Sequence, residues 1–145
     1  MRIRLASVVT AMLVVTFALV GCKEGAVEGE SGGSDLATVE PIEGSGVARV
    51  TLTAEAAERI DVQTRPVGSA RGTEWIPYAS VLYDPAGETW TYTNPEELVY
   101  VRAPIDVIRI DGDRALLSDG PPLGTEVVTV GAAELLGTEY EVGEE

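Results

Sequence analysis

Trp75-Ile-Pro-Tyr-Ala-Ser-Val-Leu-Tyr83, Asp84-Pro-Ala-Gly87 and Glu88-Thr-Trp-Thr-Tyr-Thr93 decide the fold class of this chain. The first piece is apolar. The second has strong turn chemistry, because Pro85 presets the backbone angle that the second turn position needs. The third alternates: Trp90 and Tyr92 point one way, and Thr89, Thr91 and Thr93 the other. Strand, turn and half-buried strand make a hairpin.

Upstream, Ala48 to Leu52 alternates and reads as another strand. Thr53 suits the N-cap of a short helix over Ala54 to Ile60, and Asp61 to Val67 returns to strand character. Gly68 to Gly72 is a break. Downstream, Leu98 to Ile110 is long and β-branched, and Pro104 within it requires an edge position or a bulge. Asp111-Gly112-Asp113 is a tight-turn signal leading into Ala115-Leu116-Leu117. A loop from Asp119 to Gly124 precedes Val127 to Val130, Gly131 to Leu136 suggests one short helical turn, and the acidic end from Gly137 reads as frayed. Many short strands between Gly/Pro turns predict a mainly β domain over 47–142, a small β-barrel or sandwich with one short helix, then a tail at 143–145.

The length of 145 residues suits one domain of ordinary size. A net charge of −14 argues against nucleic acid as a partner, since phosphate binding rests on clustered Lys and Arg. There is no His, and Met1 and Met12 are the only thioethers. Zinc, copper and haem sites therefore lack their usual ligands, and catalysis by a Ser-His or Cys-His pair is excluded.

The N-terminus reads as an address. Arg2 and Arg4 make a basic start, and Val8 to Val20 is an uncharged, mostly apolar run. As a helix it would span roughly 20 Å, short of the ~30 Å hydrocarbon core, so it suits a signal peptide over 1–21. Leu19-Val20-Gly21-Cys22 then resembles the bacterial lipobox. That resemblance implies cleavage before Cys22, a diacylglyceryl thioether on its sulfur and an acylated new N-terminus, holding the protein in a bilayer of the cell envelope outside the cytoplasm. Lys23 leaves open which membrane of a diderm host is used. The mature chain would keep eight basic residues against 24 acids, a balance of −16, so anionic headgroups should repel its body. Residues 22–46 are Gly-rich and acidic with no aromatic residue, and are expected to form a disordered linker.

Several segments resemble periplasmic adaptor proteins, the membrane fusion proteins of efflux pumps. Val50-Thr-Leu-Thr-Ala-Glu-Ala-Ala-Glu-Arg-Ile-Asp-Val-Gln-Thr-Arg-Pro-Val67 is similar to their strand, Glu-rich helix and "Gly-Val-x-Thr-x-x-Val" strand, with Asp61 where the family has Gly. Ile76 to Tyr83 resembles their "Val-Pro-x-x-Ala-Val" strand, and Gly87 to Tyr92 its "Gly-x-x-x-Val-Tyr" partner. Val101 to Val107 resembles "x-x-Arg-x-Val-x-Val", with Pro104 as an addition, and Gly124 to Ala132 the closing "Gly-x-x-Val-Val-x-x-Gly-Ala". The resemblance implies a membrane-proximal-type barrel of about six strands that contacts an inner-membrane transporter. It does not extend to the lipoyl domain or the long helical hairpin of a complete adaptor.

Other candidates are weaker. Glu96-Glu97 and Asp111/Asp113 are the closest carboxylate pairs, but neighbours in a strand face opposite ways and Asp-Gly-Asp reads first as a turn. Asp111, Asp113 and Asp119 could hold Ca²⁺ through oxygen ligands. Trp75, Tyr78, Tyr83, Trp90, Tyr92 and Tyr100 are expected mainly in the core, and Arg102, Arg109 and Arg114 in ordinary surface ion pairs. The expected function is a non-enzymatic, lipid-anchored module without cofactor that contacts a transporter or other envelope protein. The alternative is an envelope lipoprotein binding a small ligand or Ca²⁺.

Overall fold

The computed structural model describes residues 36–142, so the signal-peptide and lipobox residues Leu19, Val20, Gly21 and Cys22 and the 143–145 tail lie outside them. The first half of the domain contains β1 (Ala37–Ile42), β2 (Val47–Leu52), α1 (Ala54–Arg59), β3 (Gln63–Pro66), β4 (Gly68–Ala70), β5 (Thr73–Pro77) and β6 (Leu82–Tyr83). The second half contains β7 (Thr89–Glu96), β8 (Val99–Pro104), β9 (Asp106–Asp111), β10 (Arg114–Asp119), β11 (Glu126–Val130) and α2 (Ala132–Val142).

The strands form two sheets and no closed barrel, so the mainly β expectation holds in its sandwich form. One sheet has seven strands in the order β1-β2-β8-β7-β11-β3, with β6 also paired to β7; the other has four, ordered β4-β5-β10-β9. Proline sets where the chain changes sheet. Pro66 ends β3 and Pro104 ends β8, and each is followed by one residue outside any strand, Val67 and Ile105, before β4 and β9 begin in the second sheet. Lacking an N–H, proline is tolerated at such strand ends, and this accounts for Pro104 in an otherwise strand-like run. Val67 and Ile105 are both buried between the sheets. The described residues hold eleven strands where about six were expected; the corner at Pro104 splits one expected run into β8 and β9, and β1 and β4 form where no strand was expected.

The sequence-predicted hairpin is β6–β7, but of the expected first strand, Trp75 to Tyr83, only Leu82–Tyr83 takes part. Trp75, Ile76 and Pro77 belong to β5 in the four-stranded sheet, and Tyr78–Ser80 forms a short 3-10 helix after Pro77. Gly87 donates its N–H to the Asp84 carbonyl at 2.9 Å, and the Asp84 carboxylate accepts the Glu88 N–H at 2.8 Å and the Trp90 indole N–H at 3.1 Å. Desolvation works to raise this carboxyl, but those donors outweigh it and hold Asp84 below its ordinary value.

Both faces of the seven-stranded sheet are covered. Val128 packs with Val50, Leu52, Tyr92 and Tyr100 beneath the helices, against Ala56, Ala132 and Leu135. Its neighbour Val127 turns the other way, joining Ile76, Ala115 and Leu117 between the sheets. Each fully buried apolar side chain of this size is worth about 1.5–3 kcal/mol of transfer free energy. Gly131, at φ 87, immediately precedes α2 where a Cβ would lie 3.2 Å from Val62 and 3.3 Å from Ile60, so a bare backbone lets the second helix start against the end of the first.

Three expectations are corrected. Gly68 to Gly72 is not wholly a break, because Gly68–Ala70 forms β4 by pairing with β5, and only Arg71-Gly72 makes the turn. Residues 22–46 are not all linker, because Ala37–Ile42 forms β1, paired in antiparallel register with the whole of β2. Ala37, Val39 and Ile42 are partly buried, and Ser45 closes the turn by donating its N–H and its hydroxyl to the Ile42 carbonyl. Residues 132–142 are not one turn and a frayed end but an eleven-residue helix. Ala132, Leu135 and Glu139 share its buried face at spacings of three and four, and that burial outweighs the ~1 kcal/mol penalty of Gly137.

Candidate functional site

Register places one set of side chains on the outer face of the four-stranded sheet. Trp75 lies opposite Gly68 on β4 and Leu116 on β10, Leu116 lies opposite Arg109, and Arg114 lies opposite Pro77 and Asp111. Directly opposed residues share a face, so Trp75, Leu116, Arg109, Arg114 and Asp111 sit together. Ile76 and Ala115, one residue on, are fully buried between the sheets.

Gly68 makes the arrangement possible. A Cβ there would come within 2.4 Å of two Trp75 ring carbons, so the indole leans across β4 into space that only glycine leaves open. The Arg114 guanidinium stacks over the same ring, 4.2 Å from its centroid. Such a pair is worth about 0.5–1 kcal/mol at an exposed site.

Trp75 and Arg114 form the common wall of two concavities. One, an open groove of about 840 Å³, runs from Gln63 and Arg65 on β3 past Pro77 and Tyr78 to Val130. The other, about 400 Å³, is bounded by Arg71, Arg109 and Asp111. Tyr78 is 46% exposed and Val130 39%, so apolar surface is open to solvent beside the guanidinium groups. Arg71 sits at the β4–β5 hairpin tip with φ 54, followed by Gly72 at φ 81. Two successive positive angles mark the hairpin turn that favours Asn, Asp or Gly, and Arg there carries backbone strain.

The carboxylates singled out from the sequence do not converge. Asp111 and Asp113 flank Gly112 at one end of the β9–β10 hairpin, whereas Asp119 lies at the far end of β10, opposite Asp106. Arg114 and Asp119 are the two ends of six-residue β10, roughly 17 Å apart along the strand. Among the described residues no three carboxylate, His or Cys groups are placed to share a metal ion. Glu96 and Glu97 are exposed at the end of β7.

The aromatic residues divide. Tyr92 and Tyr100 are core, as expected, but Tyr78 and Tyr83 are exposed. Arg109 and Arg114 make the expected surface pairs, with Asp111 at 3.6 Å and Asp113 at 4.0 Å. Arg102 does not, and its surface assignment is corrected. It is 6% exposed, bonded to Glu139 of α2 at 3.1 Å and stacked 4.4 Å from the Trp90 ring centroid. The Glu139 carboxylate also accepts the backbone N–H of Ala48 at 3.1 Å and the Tyr92 hydroxyl. Burial first, then the Glu139 hydrogen bond and charge, push the Tyr92 phenol far above its usual value. Burial alone raises Tyr100. For Arg102, desolvation acts to lower the value but the Glu139 charge outweighs it, so the guanidinium is held more firmly protonated. Sequence reasoning missed this cluster because its members lie on four separate elements; the spacing of Glu139 from Ala132 and Leu135 was its one local trace.

No protein-family model, curated protein or solved structure matches the chain. Among the described residues, no helix is long and apolar enough to cross a membrane.

Proposed function

We propose that the protein is a non-enzymatic lipoprotein, anchored to a membrane of the bacterial cell envelope through acylated Cys22, whose β domain binds a membrane transporter or another envelope protein. The observation that carries the contact reading is the open groove at Trp75, which joins exposed aromatic surface to arginine. Those residue types dominate the energetics of protein interfaces. The Leu19-Val20-Gly21-Cys22 pattern supports the anchor. Asp61 supports the adaptor resemblance, since it takes φ 50, a glycine-favouring conformation, where that family has Gly.

In-cell crosslinking followed by mass spectrometry should recover a membrane-protein partner. Recovery of none, beside a calcium-induced rise in the melting temperature of the purified protein, would overturn the reading in favour of a cation-binding lipoprotein. Cys22→Ala should move the protein out of the membrane fraction, and retention there would refute the anchor. The groove volume favours a second reading, a small-ligand-binding envelope lipoprotein, because about 840 Å³ lies within the ~300–1,000 Å³ range of small-molecule sites.

A further inference from the structure

We propose that the face around Trp75 binds an acidic, extended polypeptide segment of the partner protein. The inference rests on the contact reading above and names the chemistry of what docks.

Charge is segregated on this domain. Residues 36–142 hold seven arginines and eighteen acidic residues. Four of the seven, Arg65, Arg71, Arg109 and Arg114, line the two concavities that share Trp75, against only Asp111 and Asp113. A strongly acidic body thus carries one locally cationic face. The two acids are weak competitors, since their pairs with Arg109 and Arg114 are long and solvent-exposed. Among the described residues, Arg65 and Arg71 have no carboxylate within 4.0 Å. The guanidinium forks are therefore available to carboxylates from outside, which they bind bidentately.

The strain at Arg71 is a second, independent sign. A residue with a positive φ at a hairpin tip costs backbone energy, and here it holds a guanidinium at the rim of the smaller concavity. Between Arg65 and Arg114 the groove is also lined by the apolar and aromatic residues Trp75, Pro77, Tyr78 and Val130. Acidic side chains alternating with aliphatic or aromatic ones along an extended chain match both components.

The same body charge argues for a short segment over a bilayer or a nucleic acid. An extended anionic surface would bring many charges against the acidic remainder of the domain. A short extended segment instead sets its carboxylates along the arginines, and charges of the acidic remainder that lie more than about one Debye length, ~8–10 Å, away are largely screened from it. The concave shape also fits a chain better than a flat surface.

The test uses the purified full chain and a fluorescently labelled peptide of about a dozen residues alternating Glu with Leu, read by anisotropy. The expected result is saturable binding that weakens with salt. It should fall at least about tenfold when Gln replaces Glu in the peptide, or when the protein carries Arg65→Glu with Arg114→Glu. Arg71→Gly relieves the backbone strain, so it should weaken binding while keeping or raising the melting temperature. Equal binding of the Glu and Gln peptides, or no effect of these variants, would overturn the proposal. So would preferential binding to phosphatidylglycerol vesicles or single-stranded DNA. A cellular partner crosslinked at Tyr78 through a segment without acids would overturn this proposal while leaving the contact reading intact.

Discussion

Tyr92 donates its phenolic hydrogen to the carboxylate of Glu139, 47 residues along the chain, and thereby ties the second helix to the middle of the seven-stranded sheet. The same carboxylate takes a donor from Arg102 and one from the Ala48 backbone. Ala48 lies one residue beyond the last registered pair of β2 with β8, Arg49 and Val101, so the helix supplies an acceptor just past the end of that ladder.

Truncating Glu139 leaves the Arg102 charge buried without its counter-ion. Glu139→Ala should cost about 3–5 kcal/mol in urea denaturation. Replacing both partners with apolar residues, Arg102→Met with Glu139→Leu, should recover most of that loss. A single truncation costing under about 1 kcal/mol would show that the network does not hold the helix down.

The tyrosine gives the alkaline limit of this cluster. Its folded value lies above the unfolded one of ~10, so its contribution is complete below that pH and is lost as pH rises toward the folded value. Absorbance at 295 nm should show Tyr92 ionising only together with unfolding, and Tyr92→Phe should remove that part of the signal. Ionisation of Tyr92 near pH 10 in a folded domain would contradict the burial described.

Asp61 ends α1 in a left-handed cap. Its N–H bonds the Glu58 carbonyl at 3.1 Å, and the next N–H, from Val62, reaches back to Ala57 at 3.0 Å. Glycine is the usual residue at that position. Asp61→Gly should therefore stabilise the domain by about 0.5–1 kcal/mol, less any share returned by losing the Gln63 hydrogen bond to the Asp61 carboxylate. Thermal melts would check it, and a clear loss of stability would make that hydrogen bond the larger effect.

Gly68→Ala addresses the binding face without touching an arginine. The added methyl occupies the place of the indole ring, so Trp75 must swing away and leave Arg114. Tryptophan emission should shift, with a stability loss of about 1–3 kcal/mol from overpacking. An unchanged spectrum would show that the ring does not lie across β4.

Local features of the fold were legible because their causes are local. The Asp84–Gly87 turn, the alternation in Thr89–Thr93 and the Thr53 cap, whose hydroxyl oxygen accepts the Ala56 N–H at 3.2 Å, each depend on residues a few positions apart. β1 was hidden because the Gly-rich, acidic composition of the surrounding segment masks three apolar residues, Ala37, Val39 and Ile42, that matter only when paired with β2. α2 was hidden by Gly137 and by a last turn with no basic residue, both overridden by tertiary burial. Arg102 resembles any other strand arginine until Glu139 arrives from the far end of the chain. The Trp75 face depends on cross-strand register, which aromatic content alone does not reveal.

The Trp75 groove, proposed as the place where this protein meets another, can be probed directly. A photo-crosslinking residue placed at Tyr78, in the groove, should give a discrete adduct with a membrane or envelope protein in intact cells. The same residue at Glu58, exposed on α1, should give none. Equal crosslinking at both positions, or an adduct confined to Glu58, would contradict the account.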